Sequence, residues 1–187
     1  MRTGFLPGDD LEAIGLAAFG QNVQIDATAR FYGAERITIG SDVRIDAYCV
    51  ISAGAEGIAI GDHVHIAAFV FMAGSRRIGI GDFAGISARS SIYSSNDDYS
   101  GAALTGPTVP DELRKIESSP VTVGRHVIVG NGSVLLPGVT LGEGAAVGAL
   151  SIVKRDVPPF AIVAGPDGRQ IGERRRDLLE LERRVGH

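Results

Sequence analysis

Aliphatic residues return at every sixth position through most of this chain, and a glycine or another small residue usually follows each of them. The positions that carry this repeat most clearly are Ile60, Ile66, Met72, Ile80, Ile86, Ile92, Val123, Val129, Leu135, Leu141, Val147 and Val153. A period of six fits neither the 3.6-residue turn of an α-helix nor the two-residue alternation of a hairpin strand. It is typical of a solenoid, in which each unit buries its apolar residue only by stacking on its neighbours.

The spacing predicts coils of three short parallel strands around a triangular core, with three repeats in each coil. Valine and isoleucine suit the stacked columns of such a core, because β-branched side chains are stiff and pack well on a pleated surface. An all-β sandwich with glycine-rich turns is the alternative, but its strands do not keep one phase over so many units. We therefore expect one domain over residues 1–187, an all-β solenoid with its repeats over about 23–165.

The repeat disappears between Ser94 and Pro120. A segment of this length without regular structure is uncommon inside a compact domain and usually has a function. The sequence therefore predicts one long inserted loop over about residues 94–120.

Both ends of the chain lack the repeat and are predicted to form caps. In an N-terminal cap over residues 1–22, Asp9 or Asp10 is expected to cap a short helix that covers the first coil. The last segment, over 166–187, has apolar residues spaced along a charged sequence from Gln170 to Val185. That pattern predicts an amphipathic C-terminal helix that folds back on the solenoid or on a neighbouring subunit.

Composition limits the possible functions and surroundings. The net charge is −4 and the isoelectric point is near 5.5, so nothing suggests nucleic-acid binding or attraction to an anionic membrane. Cys49 is the single cysteine, and its place among the repeats predicts a buried apolar filler. We find no signal peptide and no apolar stretch of about 18 residues, so membrane insertion is not expected and the expected compartment is the cytoplasm.

The second half of the repeats identifies a family. From Pro120 the chain reads PVTVGRHVIVGNGSVLLPGVTLGEGAAVGA, and it closes with SIVKRDVPP from Ser151 and AGP from Ala164. This resembles the hexapeptide-repeat acyltransferases, in particular their galactoside and maltose acetyltransferase branch. The resemblance implies a left-handed parallel β-helix that works as a homotrimer. Handedness is implied by the resemblance alone, because parallel crossovers are otherwise right-handed.

The resemblance also implies the reaction, which is transfer of an acetyl group from acetyl-CoA to a hydroxyl or amino group of a sugar. The loop sequences SNDDYSG from Ser95 and LTGP from Leu104 are similar to acetyltransferases of bacterial surface-polysaccharide clusters. Those enzymes modify sugars, including the amino groups of nucleotide-linked deoxysugars. The expected partners are therefore a sugar or nucleotide sugar and two further copies of the chain.

The family binds the pantetheine arm of the coenzyme outside the last coils, between adjacent subunits and largely through backbone groups. Carried over by position, this implies coenzyme contacts at Gly130, Asn131, Ser133, Ala149 and Ser151, with Lys154 and Arg155 near the phosphates. The small residues also serve turn geometry, and a solvated corner is the alternative for the two cations. The GPDG sequence after Ala164 departs from the usual Gly-Val-Pro-Ala ending of the family.

The resemblance does not supply a catalytic base, because no histidine lies between His65 and His126. Galactoside acetyltransferases have a histidine early in the long loop, where this chain has Asn96, Asp97 and Asp98. An aspartate could act as the base if burial at the subunit junction raises its pKa, and turn formation is the alternative role of Asp97 and Asp98. Alternatively, an amine acceptor could lose its proton late, to the departing thiolate or to water.

Three other residues are candidates for binding the acceptor. His65 stands where that branch has an aromatic residue that binds the acceptor, which makes it a candidate catalytic and acceptor-binding residue, and a hydrogen-bonding role at the surface or an interface is its alternative. Tyr93 and Tyr99 could stack on a sugar or nucleotide ring. Packing in the core or the loop is the alternative for the tyrosines. His63 and His126 occupy outward-facing places in their repeats and are expected to be ordinary surface residues.

Two other functions are known for chains of this kind. A γ-type carbonic anhydrase needs three convergent histidines around zinc, but His63 and His65 are two apart and position 131 has no histidine to pair with His126. We therefore expect no metal. A non-catalytic scaffold or binding protein would keep the coil without the chemistry, and the missing loop histidine leaves this open. The intact stretch from Val129 to Arg155 favours an enzyme.

Overall fold

The computed structural model describes residues 4–185 as a parallel β-solenoid with three walls, each a sheet that receives one strand from each of six coils, and the second wall continues with two further strands. The first wall comprises Ala18–Phe19, Ile37–Ile39, Ile58–Ile60, Ile78–Ile80, Val121–Val123 and Thr140–Leu141. The second comprises Gln24–Ile25, Arg44–Ile45, His65–Ile66, Gly85–Ile86, Ile128–Val129, Ala146–Val147, Ala161–Ala164 and Arg169–Glu173. The third comprises Arg30–Tyr32, Val50–Ala53, Phe71–Gly74, Ser91–Tyr93, Val134–Leu135 and Ile152–Val153.

The repeat positions form columns in register along the axis. On the second wall, Ile45, Ile66, Ile86 and Val129 are successive pairing partners, and each is at most 1% exposed. Full burial of a side chain of this size stabilises the fold by about 1.5–3 kcal/mol. The predicted columns and the predicted all-β solenoid are confirmed, and the fold matches the left-handed β-helix of acyltransferases.

Three edges join the walls. The first edge runs from the first wall to the second, the second edge from the second wall to the third, and the third edge from the third wall back to the first. The predicted loop over 94–120 leaves the solenoid at the third edge, after Tyr93, and returns at Val121. It begins and ends as an antiparallel hairpin of Ser95–Asp97 with Ile116–Ser118, and a 3-10 helix covers Asp111–Leu113. A second 3-10 helix, Ala34–Arg36, lies on the same edge.

The N-terminal cap is a short helix, α1, over Gly8–Ala13, whose Leu11 is 7% exposed against the first coil. Its N-cap residue is Pro7, and no side chain caps the helix. The prediction that Asp9 or Asp10 would cap it is therefore wrong, because both lie within its first turn. The strand Ala18–Phe19 already belongs to the first wall, so the solenoid begins before residue 23.

The C-terminal segment differs from its prediction. Arg169–Glu173 is a strand that pairs antiparallel with Ala161–Ala164, and only Leu178–Glu182 forms a helix, α2. The helix expected from Gln170 onwards is wrong in its first half, because the last strand of the second wall offers unpaired backbone groups that this segment satisfies. Residues 1–3 and 186–187, which the two predicted caps include, lie outside the described residues. Neither helix within residues 4–185 has the length and hydropathy to cross a membrane.

The tail after this strand follows the first edge. Arg174 Nη1 donates a 2.6 Å hydrogen bond to the carbonyl oxygen of His126, and His126 Nε2 lies 2.7 Å from a carboxylate oxygen of Glu182. The ring of His126 stacks on Phe83, with 5.1 Å between centroids, and its side chain is 7% exposed. The expectation that His126 is an ordinary surface residue is therefore wrong, because the tail covers it.

Candidate active site

The second edge is a straight column of stacked turns. In the last complete coils these turns cover residues 87–90, 130–133 and 148–151, and backbone hydrogen bonds join each turn to the next, from Gly132 N to Ala88 O (3.0 Å) and from Leu150 N to Asn131 O (2.8 Å). The third residue of each turn has a positive φ, which is 59° at Arg89 and 58° at Leu150. The turns therefore present one regular line of backbone along the axis.

Three of the predicted coenzyme residues lie on this line. Asn131 and Ala149 are exposed at the same place in consecutive turns. A Cβ atom at Gly130 would lie 2.5 Å from the backbone nitrogen of Ala149, so only glycine allows the two turns to approach so closely. The structure thus brings these three residues together on an open surface.

Two other predicted coenzyme residues point the opposite way. Ser133 and Ser151 are completely buried, and both hydroxyls donate to the carbonyl oxygen of Gly148, at 2.9 and 2.7 Å. Neither side chain reaches the surface. Direct contact of these two hydroxyls with a coenzyme is therefore not possible in this conformation, and the prediction is corrected for their side chains.

A basic groove of about 500 Å³ lies at the C-terminal end of the solenoid, between the segment that follows Ile152–Val153 and the turn that follows Ala161–Ala164. Its walls include the predicted Lys154 and Arg155, together with Arg169 and Asp167. The ammonium of Lys154 lies 3.2 Å from the carboxylate of Asp167. The sequence does not predict Arg169 as part of this groove, because its pattern indicates a helix where Arg169–Glu173 forms a strand. The three cations outnumber the two carboxylates of the groove, Asp156 and Asp167, so a net positive charge remains for a phosphate group.

At the other end of the line, a groove of about 210 Å³ opens on the second wall beside turn 87–90. The predicted His65 lines it, together with Gly85, Ser87 and Ile128. Gly85 is the pairing partner of His65 and Ile128 on either side, and a Cβ atom built on it would meet nothing within 4 Å. The groove exists because this one coil has no outward side chain there.

His65 has a carboxylate partner that the sequence reasoning missed. Its side chain is 54% exposed, and its Nε2 lies 2.8 Å from Asp46 Oδ2, while Arg44 donates to the other oxygen at 2.7 Å. Partial burial raises the pKa of Asp46, but the hydrogen bonds from His65 and Arg44 outweigh it and leave the pKa lowered. Asp46 therefore stays ionised and holds the His65 ring over the groove. Arg44 and His65 pair in register on neighbouring coils, so the position of Asp46 two residues after Arg44 indicates the contact between Asp46 and His65.

In the loop, Asp98 is fixed by its own neighbours. It is 9% exposed, Ser100 donates to both of its carboxylate oxygens, and the backbone N–H groups of Ala102 and Ala103 donate to Oδ2 at 3.0 and 3.3 Å. The hydrogen bond from Ser100, helped by the two backbone donors, lowers the pKa of Asp98. Within one chain, Asp98 thus holds the turn that follows it in the loop.

Asp97 is the more accessible of the two loop carboxylates. Its side chain is 38% exposed, with Oδ1 3.7 Å from Arg114 Nη2 and Oδ2 accepting a 3.3 Å bond from the N–H of Gly106. Arg114 is 15% exposed and also binds Asp111 at 2.9 Å. Asp97 therefore has free acceptor capacity at the surface beside a fixed cation.

The remaining candidates of the loop region differ in their surroundings. Asn96 pairs with Glu117 in the hairpin. Tyr93 packs on Phe71 of the third wall, with ring centroids 5.6 Å apart, whereas Tyr99 is 91% exposed. Only Tyr99 is open to stack on a ligand from all sides.

These parts occupy different edges of one chain. Asp97 belongs to the loop of the third edge, whereas the line of turns and the groove of His65 belong to the second edge, and the third wall lies between them. Within residues 4–185, no three His, Cys, Asp or Glu side chains converge as metal ligands would.

Comparison with known proteins gives close relatives, although no model of a known protein family matches the chain. The chain is 48% identical over 178 residues to dTDP-4-amino-4,6-dideoxy-D-glucose acyltransferase of Escherichia coli, which covers 95% of this chain and 93% of that protein. It is 43% identical over 74 residues to galactoside O-acetyltransferase of E. coli K12, or 38% of this chain and 36% of that one.

Solved structures are similar over the whole length. AntD, an N-acyltransferase from Bacillus cereus, superposes with a TM-score of 0.93 at 39% identity, over 97% of this chain and 96% of that one, in its complex with dTDP and 3-hydroxybutyryl-CoA. A mutant of AntD in complex with dTDP-4-amino-4,6-dideoxyglucose and coenzyme A gives 0.94 at 38% identity, over 98% and 97%.

Proposed function

Because the chain belongs to the hexapeptide-repeat acyltransferases, which take their acyl group from a coenzyme A thioester, we propose that it acylates the 4-amino group of dTDP-4-amino-4,6-dideoxyglucose. The observation that carries this proposal is the near full-length similarity to an acyltransferase of that acceptor. The similarity to AntD, whose complexes hold the same nucleotide sugar, supports it independently. The acceptor atom is then nitrogen, and the donor is acetyl-CoA.

The donor lies along the second edge in this proposal. Its phosphates bind Lys154, Arg155 and Arg169 in the basic groove, and its pantetheine arm follows the turns past Ala149 and Asn131 towards the groove of His65. Three coils separate the two grooves, which at ~4.8 Å a coil is about 14 Å, a length that an extended arm can span. The thioester then reaches the level of turn 87–90.

The chemical step needs no strong base. The neutral amine nitrogen attacks the thioester carbonyl carbon, a C–N bond forms, and the tetrahedral intermediate breaks its C–S bond to release the thiolate, which takes the proton that the nitrogen loses. We propose that Asp97 accepts a hydrogen bond from this nitrogen and balances its positive charge, since its carboxylate is exposed and held by Gly106 and Arg114. The absence of a loop histidine is consistent with an amine acceptor.

The separation of the parts supports a homotrimer. If the loop of one protomer reaches the second edge of its neighbour, Asp97 joins the groove of His65, and three equal sites form between subunits. In this arrangement His65 contacts the sugar and Tyr99 stacks on a ring of the acceptor, while Asn96 shapes the tip of the loop hairpin. Each site then takes its donor edge from one chain and its loop from another.

We further propose that the product enters surface-polysaccharide synthesis. An acylated dTDP-linked deoxysugar is an activated building block, and its leaving group remains intact after transfer to the 4-amino group. The reaction is expected in the cytoplasm, where nucleotide sugars and coenzyme A thioesters are both formed.

Two acceptors that differ in one atom test the proposal. The protein is incubated with acetyl-CoA and either dTDP-4-amino-4,6-dideoxyglucose or dTDP-6-deoxyglucose, which has a hydroxyl at carbon 4, and thiol release and product mass are followed. One acetyl group should be added to the amino sugar, with little transfer to the hydroxyl compound. Equal rates on both acceptors would contradict an amine acceptor. No saturable binding of coenzyme A would instead favour a non-catalytic scaffold.

A further inference from the structure

A buried column beneath the second edge changes from apolar to polar halfway along the solenoid. Strand register places one residue of each coil at the same point, just before its strand in the third wall. From the first coil onwards these residues are Ala29, Cys49, Val70, Ser90, Ser133 and Ser151. The three serines are 0% exposed. A hydroxyl in an apolar interior costs free energy unless it is hydrogen-bonded, and the first coils form with apolar residues at this point.

The last two serines bind successive coils to each other. Ser133 Oγ donates to the carbonyl oxygen of Gly148 at 2.9 Å and accepts a bond from the N–H of Ser151 at 3.2 Å. Ser151 Oγ donates to the same carbonyl at 2.7 Å and accepts a bond from the N–H of Gly165 at 3.0 Å. The carbonyl of Gly148 therefore has two hydroxyl donors that hold it towards the interior.

Ser90 makes the corresponding contact one coil earlier. Its Oγ donates to the carbonyl oxygen of Gly130 at 3.1 Å. Cys49 occupies the same point nearer the N-terminus, and its Sγ lies 3.1 Å from the carbonyl oxygen of Ala67. The contact is thus a feature of the whole column. Serines make it only in the coils whose turns, 87–90, 130–133 and 148–151, form the proposed path of the donor.

The direction of these carbonyls decides the direction of the next N–H groups. A trans peptide unit is planar, so its C=O and N–H point to opposite sides. With the carbonyls of Gly130 and Gly148 held inwards, the N–H groups of Asn131 and Ala149 point outwards. Within residues 4–185, neither N–H has a hydrogen-bond acceptor. Two outward donors, one coil apart, remain for a ligand.

We propose that Ser90, Ser133 and Ser151 are positioning residues for the acyl donor. Their hydroxyls fix the peptide planes of two turns so that the N–H groups of Asn131 and Ala149 meet carbonyl oxygens of the pantetheine amides. The inference rests on the proposed path of the donor along the second edge. It assigns the serines an action through the backbone, because they are buried beneath the turns.

A matched pair of variants tests this role. Ser133→Val and Cys49→Val each insert the residue that the column already has at Val70, and each removes one side-chain donor. Calorimetry with coenzyme A should give a dissociation constant about tenfold higher for Ser133→Val and within twofold of wild type for Cys49→Val. The turnover number at saturating acetyl-CoA and the KM for the amino sugar should change less than twofold in both.

Two further measurements separate positioning from general damage. Turnover with phenyl thioacetate, a donor without amides, should be the same for Ser133→Val and wild type. Ser133→Cys should recover most of the coenzyme affinity, because a thiol at this point still donates, as it does at Cys49. If Ser133→Val does not fold, Ser90→Val should weaken coenzyme binding in the same direction.

The outcomes distinguish the two proposals. Wild-type affinity in a folded Ser133→Val or Ser90→Val would overturn the positioning role and leave the acyltransferase proposal intact. Equal losses in Ser133→Val and Cys49→Val would also overturn it, because the effect would then be one of stability. If the wild-type protein itself does not bind coenzyme A, the proposed function fails and this inference fails with it.

Discussion

The proposed site between chains of a trimer makes a quantitative prediction for mixed trimers. Asp97→Ala removes the loop carboxylate of one edge, and Ala149→Trp places an indole on the donor line of another edge, where Ala149 is exposed. Each variant alone should lose most of its turnover while its melting temperature and trimeric state are retained, because neither residue is in the core. The two defects lie on different edges of one chain.

The expected recovery follows from this geometry. We call the contact between the second edge of one chain, which holds the acyl donor, and the loop of its neighbour a seam. In a random equal mixture, a seam is intact only if its second edge comes from the Asp97→Ala chain and its loop from the Ala149→Trp chain. Each condition holds for half of the subunits, so about one quarter of the seams contain no substitution. The random mixture should therefore show about 25% of the wild-type turnover per site, and trimers that contain both chains, in which one seam of three is intact, should show about 33%, where each parent shows almost none.

The assay uses co-expressed chains with two different tags. Mixed trimers are purified through both tags in sequence, their composition is measured by mass spectrometry, and thiol release is followed with acetyl-CoA and the amino sugar. Co-expression of Asp97→Ala with Asp97→Asn is the control, since these chains share one defect and cannot restore each other. Activity no higher than the sum of the parents would place the whole site within one chain and refute the shared seam.

Three other predictions concern the donor groove, the core and the tail. Lys154→Ala with Arg155→Ala should weaken coenzyme A binding and reduce its dependence on salt, measured by calorimetry at two ionic strengths, without slowing turnover of phenyl thioacetate. Leu135→Ala, at a residue 0% exposed, should lower the free energy of unfolding by about 2–5 kcal/mol in urea denaturation. Glu182 has its pKa lowered from 4.5 by the hydrogen bond with His126 and by a neighbouring arginine. A lowered carboxyl pKa stabilises the folded tail above pH 4.5, and this stabilisation is lost as the pH falls through the lowered value. Digestion of the wild-type tail by an acid protease should therefore rise in that pH range. Glu182→Gln should show no such rise.

Most of the fold follows from the sequence because one period repeats so often. Each coil buries the same positions of its repeats. The repeated aliphatic residues, such as Ile45, Ile66 and Ile86, therefore determine the register of the strands without long-range information. The acyltransferase prediction is confirmed by the relatives, and it was possible because turn sequences such as that around Gly130 are constrained by coil packing.

The tail could not be predicted in the same way. The apolar residues after Gln170 are compatible with a helix, but an unpaired strand at Ala161–Ala164 attracts this segment into an antiparallel pair. This is a tertiary effect that local periodicity does not contain. His126 was misjudged for the same reason, since the residue that covers it, Glu182, is 56 positions away.

The candidate site was predicted by position and only in part by geometry. Ser133 and Ser151 follow the predicted positions in the sequence, but their side chains are buried, because the residue just before a strand of the third wall points inwards at this edge. Asp97 and Asp98 are adjacent in sequence and differ in role, since only Asp98 collects the donors of the turn that follows it. Such differences depend on local hydrogen bonds that the residue types alone do not specify.

A crystal structure of the protein with coenzyme A and dTDP-4-amino-4,6-dideoxyglucose tests the account most directly. The account predicts a trimer with the pantetheine amides on the N–H groups of Asn131 and Ala149, the phosphates beside Lys154, and the sugar nitrogen within hydrogen-bond distance of Asp97 from a neighbouring chain. Coenzyme density along the first or third edge, or an amino group far from every Asp97, would contradict it.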